Sequence, residues 1–441
     1  MTAAVVEPPA AAPANPQTAP AKPEAARQSY LPKRPENLEE VGLPREEIEG
    51  LVLKILLNRG PTSGRDVARQ IRLPLGLLTA FLRELKRENV VAYRRNAGPD
   101  DYLHELTDLG NERASRAHDR CRYDGCAPVS LGEYVASVDA QTLRRQRITP
   151  QTLRAALAGL QVSAETFAQL GTALGSVGAL FLYGDPGNGK TTIAERLTKA
   201  YGEELWIPRA VRIGGETVRL FDPAVHEPLP FAGKAPAHDA RWIRIRRPTV
   251  VVGGELTLEH LELTMNAVSG VMEAPVQLKA NGGTLVIDDF GRQQMDPDTL
   301  LNRWIVPLER GYDFLNTPGG QKVKAPFDLL TVFATNLRPA DLVDEAFLRR
   351  IPFKIKAEDP TPAEFRSLFE GLAPKMGLTL EPGAVETLTT EHFVSVDRPL
   401  RFCHPRDLLL QVQRRARFEG LPPVVTSDAL NVAVKNYFGD L

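Results

Sequence analysis

Residues 179–200, ALFLY-GDPGNGKTT-IAERLTKA, join an apolar segment, a glycine-rich loop and an amphipathic segment in direct succession. Between a strand and a helix, the glycines allow consecutive backbone N–H groups to turn inward as an anion nest, and the helix N-terminus adds a positive dipole. Lys190 then reaches the outer phosphates of a nucleotide, and the Thr191 hydroxyl binds magnesium. The pattern predicts a loop that binds the phosphates of a nucleotide and consists of Gly184, Asp185, Pro186, Gly187, Asn188, Gly189, Lys190, Thr191 and Thr192. By itself this loop is equally compatible with kinases, GTPases, transporters and motors.

A second apolar run, residues 284–287, ends in the two carboxylates Asp288 and Asp289. A buried parallel strand that ends in acids places them at the carboxyl edge of its sheet, beside the phosphates. We expect Asp288 to hold the magnesium ion through water and Asp289 to polarise the attacking water. Together with the phosphate loop, the two acids predict an ATPase.

The composition fits a large chain with several hydrophobic cores. The chain has 441 residues, 43% of them hydrophobic, which is enough for roughly two to four domains. A net charge of −1 gives no global attraction to nucleic acid or an anionic membrane, and three cysteines imply no disulfide framework. No apolar run is long enough to span a bilayer, and the N-terminus lacks the apolar core of a signal peptide. We therefore expect a cytoplasmic protein without membrane insertion.

The N-terminal part divides into a tail and a small domain. Residues 1–40 are rich in alanine and proline and nearly free of large apolar side chains, which predicts a disordered tail. Residues 41–117 carry three apolar helical stripes, followed by two short strands around the turn-rich segment 96–100. Three helices and a β-wing resemble a winged-helix module, whose relatives often bind DNA.

The third helix of this module, the usual reader of base sequence, is poorly equipped for that task. Its outward positions include Thr79 and Ala80, which offer few hydrogen-bond partners to base edges. Arginines elsewhere in the module, among them Arg65 and Arg72, are able to contact phosphates. Two interpretations stay open for residues 41–117: contact with DNA, or docking of a protein.

Residues 118–150 are predicted to form a helical linker. His118, Cys121 and Cys126 lie in it, but their spacing matches no zinc motif and a fourth ligand is not evident. We expect these three side chains to be ordinary surface residues.

Further motifs downstream resemble those of the AAA+ ATPases, in the order found in that family. The segment FATN ends in Asn336 and resembles the sensor 1 strand, whose terminal polar residue orients the hydrolytic water. The segment DEAFLRRI, residues 344–351, is similar to the helix end that presents an arginine finger to the neighbouring subunit. Arg350 is the first choice for that finger and Arg349 the second. The segment HPRDL resembles sensor 2, which implies that Arg406 contacts the nucleotide from the lid.

The resemblance covers about residues 150–441 and implies the fold class. The implied fold class is an α/β P-loop NTPase of the AAA+ type, with a parallel-sheet core over residues 151–358 and a C-terminal helical lid over residues 359–441. It also implies assembly of the chain with itself, most simply as a hexameric ring.

A predicted hairpin over residues 309–324 narrows the subgroup. It resembles the pre-sensor-1 insertion of the MoxR, magnesium-chelatase and enhancer-binding groups, in which such hairpins often face the central pore. A plain surface hairpin is the alternative. Residues 242–247, WIRIRR, alternate apolar and basic side chains and predict a half-buried strand whose basic face is either solvated or grips an acidic partner.

One residue departs from the family pattern. Many members carry glutamate where this chain has Asp289, one methylene shorter, which makes slow hydrolysis an open possibility. The chain is also similar to a bacterial group described as predicted ATPases with chaperone activity. We expect an ATPase that remodels an unknown protein client; the alternatives are a DNA-associated ATPase and a slow nucleotide-dependent scaffold or switch.

Overall fold

The structure is a computed structural model that describes residues 30–267 and 270–439. Within those ranges, no helix is both long and apolar enough to cross a membrane. The described chain forms four units: an N-terminal helical module, a parallel α/β core, a β-rich unit inserted into that core, and a helical lid.

The predicted disordered tail differs from the structure at its C-terminal end. Residues 1–29 lie outside the described residues, but residues 30–40 are packed against the rest of the chain, the first of them against the inserted unit and Leu38 against the N-terminal module. The backbone N–H of Asp239 donates to the Pro32 carbonyl (3.0 Å), and the ring of Tyr30 meets that of Trp242 edge-on at 5.9 Å. A boundary at residue 40 is therefore too late, because a tyrosine and buried prolines supply apolar surface that average composition hides.

The N-terminal module contains the three helices and two wing strands that the sequence predicts. The Asp101 carboxylate at the start of the second wing strand accepts hydrogen bonds from the backbone N–H groups of Gly64 (2.9 Å) and Arg65 (3.1 Å), which ties the wing to the second helix. Its elements are α1 Arg45–Arg59, β1 Thr62–Ser63, α2 Gly64–Ile71, α3 Leu75–Arg87, β2 Val91–Gly98, β3 Asp101–Leu106 and α4 Asp108–Arg120, with the sheet order β1-β3-β2.

The middle of the expected linker over residues 118–150 is instead part of the inserted unit. Its strand β4 (Val129–Ser130) pairs in parallel with β7 (Ala210–Ile213). The helix that follows, α5 (Leu131–Ala140), buries Tyr134, whose hydroxyl accepts from Asn281 Nδ2 at 2.9 Å. Cys126 is buried as well, contrary to the expectation of a surface residue, and burial raises the pKa of its thiol to about 12.

The inserted unit is built on a five-stranded sheet of order β11-β12-β8-β7-β4 and a separate pair of strands, β6 and β9. The predicted half-buried strand is β9. Its basic side chains are paired, Arg244 with Glu204 at 3.1 Å and Arg246 with Glu227 at 2.9 Å, so that face is largely neutralised. The remaining strands are β6 Glu204–Pro208, β8 Glu216–Arg219, β9 Trp242–Arg246, β11 Thr264–Met265 and β12 Met272–Glu273.

The core is the predicted parallel sheet, with strand order β10-β13-β16-β5-β17. Its three central strands are runs of buried, mostly apolar residues, as expected for a sheet covered on both faces, whereas the two edge strands are partly exposed. The strands are β5 Ala179–Tyr183, β10 Thr249–Val252, β13 Thr284–Ile287, β16 Leu330–Thr335 and β17 Phe353–Lys356. The helices are α6 Pro150–Ala156, α7 Ala164–Ser176, α8 Lys190–Leu197, α9 Val276–Lys279, α10 Pro297–Arg310, α11 Pro339–Leu342 and α12 Glu345–Arg350.

The predicted hairpin forms from β14 (Tyr312–Asn316) and β15 (Lys322–Pro326). Leu315 and Ala325 are buried in the core of the inserted unit. The tip touches that unit too, since a Cβ on Gly214 would lie 2.6 Å from Thr317 Cγ2. The hairpin is therefore anchored along its length.

The lid contains four α-helices among the described residues. Its core consists of Phe365, Phe369, Phe393 and the aliphatic side chains of the two long helices. The elements are α13 Pro362–Leu372, β18 Thr379–Leu380, α14 Ala384–Thr389, α15 His404–Glu419, β19 Val424–Val425 and α16 Ser427–Phe438.

Candidate functional site

The glycine-rich loop lies between β5 and α8, at the carboxyl edge of the core sheet. Gly184, Gly187 and Gly189 have φ of 140°, 87° and 73°, a region that glycine adopts without strain. A Cβ on Gly184 would lie 2.6 Å from the Ala357 carbonyl oxygen, and a Cβ on Gly187 would lie 2.6 Å from Cys403 Sγ. The glycines are thus required by backbone conformation and by two close neighbours, one after β17 and one in the lid.

Lys190 is only 7% exposed, and its ammonium group is fully engaged. Its Nζ donates to the carbonyl oxygens of Gly184 (2.9 Å) and Asp185 (3.0 Å) and to Asn336 Oδ1 (2.6 Å). Burial lowers the pKa of Lys190, and the nearby Asp289, Asp288 and Asp185 oppose that shift. The cation is therefore held over the loop by groups that anionic phosphate oxygens are able to replace.

Thr191 and Asp288 meet as the sequence predicts. The Thr191 hydroxyl lies 2.9 Å from each carboxylate oxygen of Asp288, at the end of β13. A hydroxyl and a carboxylate are hard oxygen ligands of the kind that magnesium prefers, with water or phosphate completing the octahedron. The oxygen atoms of Thr191 and Asp288 and the glycine-rich loop beside them fit a nucleotide with bound magnesium.

Asp289 and Asn336 form the next contact along the edge. Asn336 follows β16, accepts from Lys190 and donates through Nδ2 to Asp289 Oδ1 at 3.2 Å. Asp289 has φ of 48°, a left-handed conformation in which aspartate and asparagine are enriched over longer side chains. This backbone gives a physical reason for aspartate, rather than glutamate, at this position.

The remaining arginines predicted for the site lie on α12 and α15, outside the loop itself. Arg350 pairs with Glu309 at 2.5 Å, and the highly exposed Arg349 lies 3.7 Å from Glu345. Arg406 is in the first turn of α15, exposed, and makes no polar contact with any residue that the structure describes. Their predicted roles therefore stay predictions.

Sequence reasoning missed a second group of loop contacts. Arg401, from the lid, pairs with Asp185 at 3.0 Å and also with Asp359 in the connection between core and lid. Asn188 Nδ2 donates to the same Asp359 carboxylate at 2.6 Å, and the Cys403 N–H donates to the Gly187 carbonyl at 3.0 Å. No motif marks Arg401, since its partners are distant in the chain; only the fold brings them together.

Among the described residues, no three histidine, cysteine or acidic side chains are grouped closely enough to hold a metal ion. His118, Cys121 and Cys126 accordingly form no such group.

Comparison with known proteins adds partial likenesses. Residues 361–436 match a family described as a domain of unknown function (DUF8689), a range that coincides with the lid. No curated protein sequence matches the chain. Among solved structures, NtrX from Brucella abortus is similar at 14% identity and a TM-score of 0.41, over 74% of this chain and 60% of the NtrX chain. A second structure of NtrX, in complex with ADP, gives 14% identity and a TM-score of 0.40 over 74% and 66% of the two chains.

The RuvB Holliday junction branch migration motor from Thermotoga maritima is similar at 13% identity and a TM-score of 0.37, over 62% of this chain and 69% of RuvB. The chain thus spans less than two thirds of the length of NtrX. The chemistry of the site, rather than these likenesses, is the basis for the function proposed below.

Proposed function

We propose that the protein binds and hydrolyses ATP as a member of the AAA+ class. One observation carries the proposal: Lys190, Asn336 and Asp289 form a hydrogen-bonded series across three strand ends, next to the contact between Thr191 and Asp288. A cation, a magnesium ligand set and a carboxylate base thus converge beside a glycine cradle. The strand order of the core, with β5 between β16 and β17, supports the same class.

Each residue has a distinct task in this proposal. The loop N–H groups and Lys190 bind the phosphates, and Thr191 and Asp288 hold magnesium, which supplies charge neutralisation when bound. Asp289 accepts a proton from the attacking water, and Asn336 keeps that carboxylate and the water aligned. Asp289 is fixed at 3.2 Å from Asn336, so the base is already positioned before substrate arrives.

Completion of the site requires a second copy of the chain in this proposal. Arg350 and Arg349 stand at the end of α12 and pair with Glu309 and Glu345, well away from the loop contacts of their own subunit. In a ring, this helix end faces the nucleotide of the neighbour, where an arginine stabilises charge developing on the transferred phosphoryl group. Hydrolysis would then depend on assembly, and the motion of the lid would act on a protein client.

Remodelling of a protein is favoured over a DNA-associated role for the winged-helix-like module. Some of its arginines are already neutralised, such as Arg45 by Glu49 (3.2 Å) and Arg113 by Glu49 (3.0 Å), although Arg65 and Arg72 have no ion pair among the described residues. Glu47 in α1 also binds Arg212 of the inserted unit at 2.5 Å. The module is therefore attached to the rest of the chain rather than free to reach a duplex. The third alternative, a slow nucleotide-dependent scaffold, differs from an active ATPase only in its rate of ATP turnover.

The experiment measures ATP turnover per chain against protein concentration, with the oligomer size followed by light scattering. Lys190→Ala should abolish turnover. Arg350→Ala should lower it by about a thousandfold or more while leaving ATP binding intact. Arg366→Ala, which removes an exposed arginine of the lid that pairs with Glu386, is the matched control and should turn over like the wild type.

Three outcomes would count against parts of the proposal. Turnover that does not rise with concentration contradicts the shared site. Normal turnover in Arg350→Ala removes that residue as the finger and transfers the test to Arg349→Ala. Absence of turnover in the wild type, with ATP bound, favours the scaffold.

A further inference from the structure

A second cleft, remote from the phosphate loop, lies between the N-terminal module and the inserted unit. It has a volume of about 430 Å³. One wall is the end of α2 and the start of α3, the opposite wall is residues 236–240, and Arg34 closes one side. The cleft is therefore formed by three parts of the chain that only the fold brings together.

A buried ion pair holds the two walls in place. Arg241 is 1% exposed and pairs with Asp239 at 2.8 Å, directly behind the loop that forms the second wall. The same guanidinium donates to the carbonyl oxygens of Val41 (2.7 Å) and Pro128 (3.2 Å), next to the N-terminal module. The Arg241 contacts therefore connect the second wall to the start of the N-terminal module.

The cleft carries positive charge that the protein does not neutralise. Four exposed arginines line it, and of these only Arg69 has an ion pair among the described residues, with Asp66 at 2.9 Å. Asp239, the one acid in the lining, is already bound by Arg241. Unpaired guanidinium groups in a concave surface focus a field that attracts anions, and their planar forks match phosphate oxygens. The four are Arg34, Arg65, Arg69 and Arg72.

Two local features indicate that these arginines lower the stability of the folded chain. Arg72 ends α2 with φ of 62°, a position that favours glycine, so the chain keeps an arginine there at the expense of backbone strain. Behind it, burial and the neighbouring Arg72 lower the pKa of Arg209, whose Nε is buried without a partner. Backbone strain and charge repulsion both occur at binding sites, and an anion would relieve the repulsion.

We propose that this cleft binds a small phosphorylated ligand of nucleotide size. The arginines take the phosphates, and Pro35, Pro74 and Leu75 contact the less polar part. The volume falls within the range of small-molecule sites, about 300–1,000 Å³. A cleft of this volume is a better fit for a small ligand than for a bulky duplex. The site is independent of the proposed ATPase.

The test is a calorimetric titration of the full chain with inorganic tripolyphosphate at low salt. Lys190→Ala serves as the background, so that the phosphate loop contributes little. One saturable site per chain is expected. Adding Arg65→Gln and Arg72→Gln should weaken binding by about tenfold or more, since two charge-assisted contacts are lost. Arg87→Gln, which removes an exposed arginine of α3 outside the cleft, is the control and should bind normally.

Arg72→Gly in the same Lys190→Ala background gives a second readout, the unfolding temperature. Glycine suits the left-handed backbone, so this variant should unfold at a higher temperature than its Lys190→Ala parent without ligand. It should nevertheless lose most of the rise in unfolding temperature that tripolyphosphate produces in the parent. An undiminished rise would overturn the proposal.

Other arms of the titration identify the ligand or reject the site. Tighter binding of ADP than of pyrophosphate assigns the site to a nucleotide, and the reverse assigns it to inorganic phosphates. No saturable binding in Lys190→Ala, or equal weakening in Arg87→Gln, overturns the proposal. If a short DNA duplex displaces tripolyphosphate, and the arginine variants no longer bind that duplex, the cleft is a nucleic-acid site instead.

Discussion

The carboxyl edge of the core sheet and the lid above it meet the same phosphate loop in different ways. At the sheet edge, Lys190, Asp288 and Asn336 belong to recognisable motifs that follow strands of one sheet. In the lid, Arg401 reaches Asp185 through tertiary contacts that no motif announces. In the proposed function the edge carries the chemistry, while the lid contributes stability. Substitutions at the sheet edge should therefore lower ATP turnover, whereas substitutions in the lid should lower stability.

The largest effect is expected at the edge, from Asp289→Asn. Loss of the carboxylate should lower ATP turnover by about 10² to 10⁴, the usual contribution of a general base. ATP affinity should change little, because the loop and Lys190 are untouched. Asparagine tolerates the left-handed backbone of Asp289 (φ 48°), so folding should be unaffected. Steady-state turnover and a nucleotide-binding titration check both parts, and near-normal turnover would remove Asp289 as the base.

Asp289→Glu is the companion variant. If the family preference for glutamate reflected chemistry alone, this change would speed hydrolysis. The positive φ instead predicts no gain, because a glutamate there strains the backbone and displaces the carboxylate from Asn336. A marked increase in turnover would show that the backbone relaxes at little cost.

The lid should respond to pH through His404. Burial, aided by Arg401, lowers the pKa of His404 to about 4, against 6.5 for the free side chain. The unfolded chain therefore binds more protons between these values, and this contribution to stability is lost as the pH falls from about 6.5 to about 4. The full loss is at most about 3 kcal/mol.

Chemical denaturation of the wild type and His404→Asn across that pH window checks the prediction. Asparagine keeps an acceptor for the Arg401 N–H, which donates to His404 Nδ1 at 3.2 Å, but does not titrate. The variant should show a flatter pH dependence, whatever its absolute stability. An equally steep curve would place the acid sensitivity elsewhere.

Gly187→Ala tests the contact between loop and lid. A Cβ there would lie 2.6 Å from Cys403 Sγ, on a backbone with φ of 87°. We expect a loss of about 2 kcal/mol from the clash and the strain together. Adding Cys403→Ala should restore the part that is due to the clash. Thermal unfolding of the two single variants and the double variant separates the terms, and full additivity would mean that the loop moves away from the lid.

The sequence predicts the edge well because each of its residues is placed by a local pattern. Gly184 to Thr191 lie between a strand and a helix, and Asp288 and Asn336 end apolar strands, so parallel pairing brings them together. The left-handed backbone of Asp289 is invisible in that pattern, since it depends on how the chain leaves β13.

Contacts between residues that are distant in the chain could not be predicted, because local patterns do not reveal them. The strand at Val129 looks like part of a linker until β7, far along the chain, supplies its partner. Residues 30–40 look unstructured until Trp242 covers Tyr30. Arg401 shares the lid with the recognised Arg406, yet the structure brings Arg401, and not Arg406, to Asp185.

The smallest expected effect, and the sharpest test of the comparison, contrasts Arg401→Ala with Arg406→Ala. Arg401 is mostly buried and paired with Asp185 and Asp359, so its loss should lower stability by about 1 kcal/mol even without nucleotide. Arg406 is exposed, so its loss should leave that stability unchanged. If Arg406 contacts nucleotide when the lid closes, its variant should instead lose part of the stabilisation that ADP adds. Unfolding curves with and without ADP test both expectations. Equal stability of the two variants in both conditions would show that Arg401 and Arg406 do not have different roles in the lid.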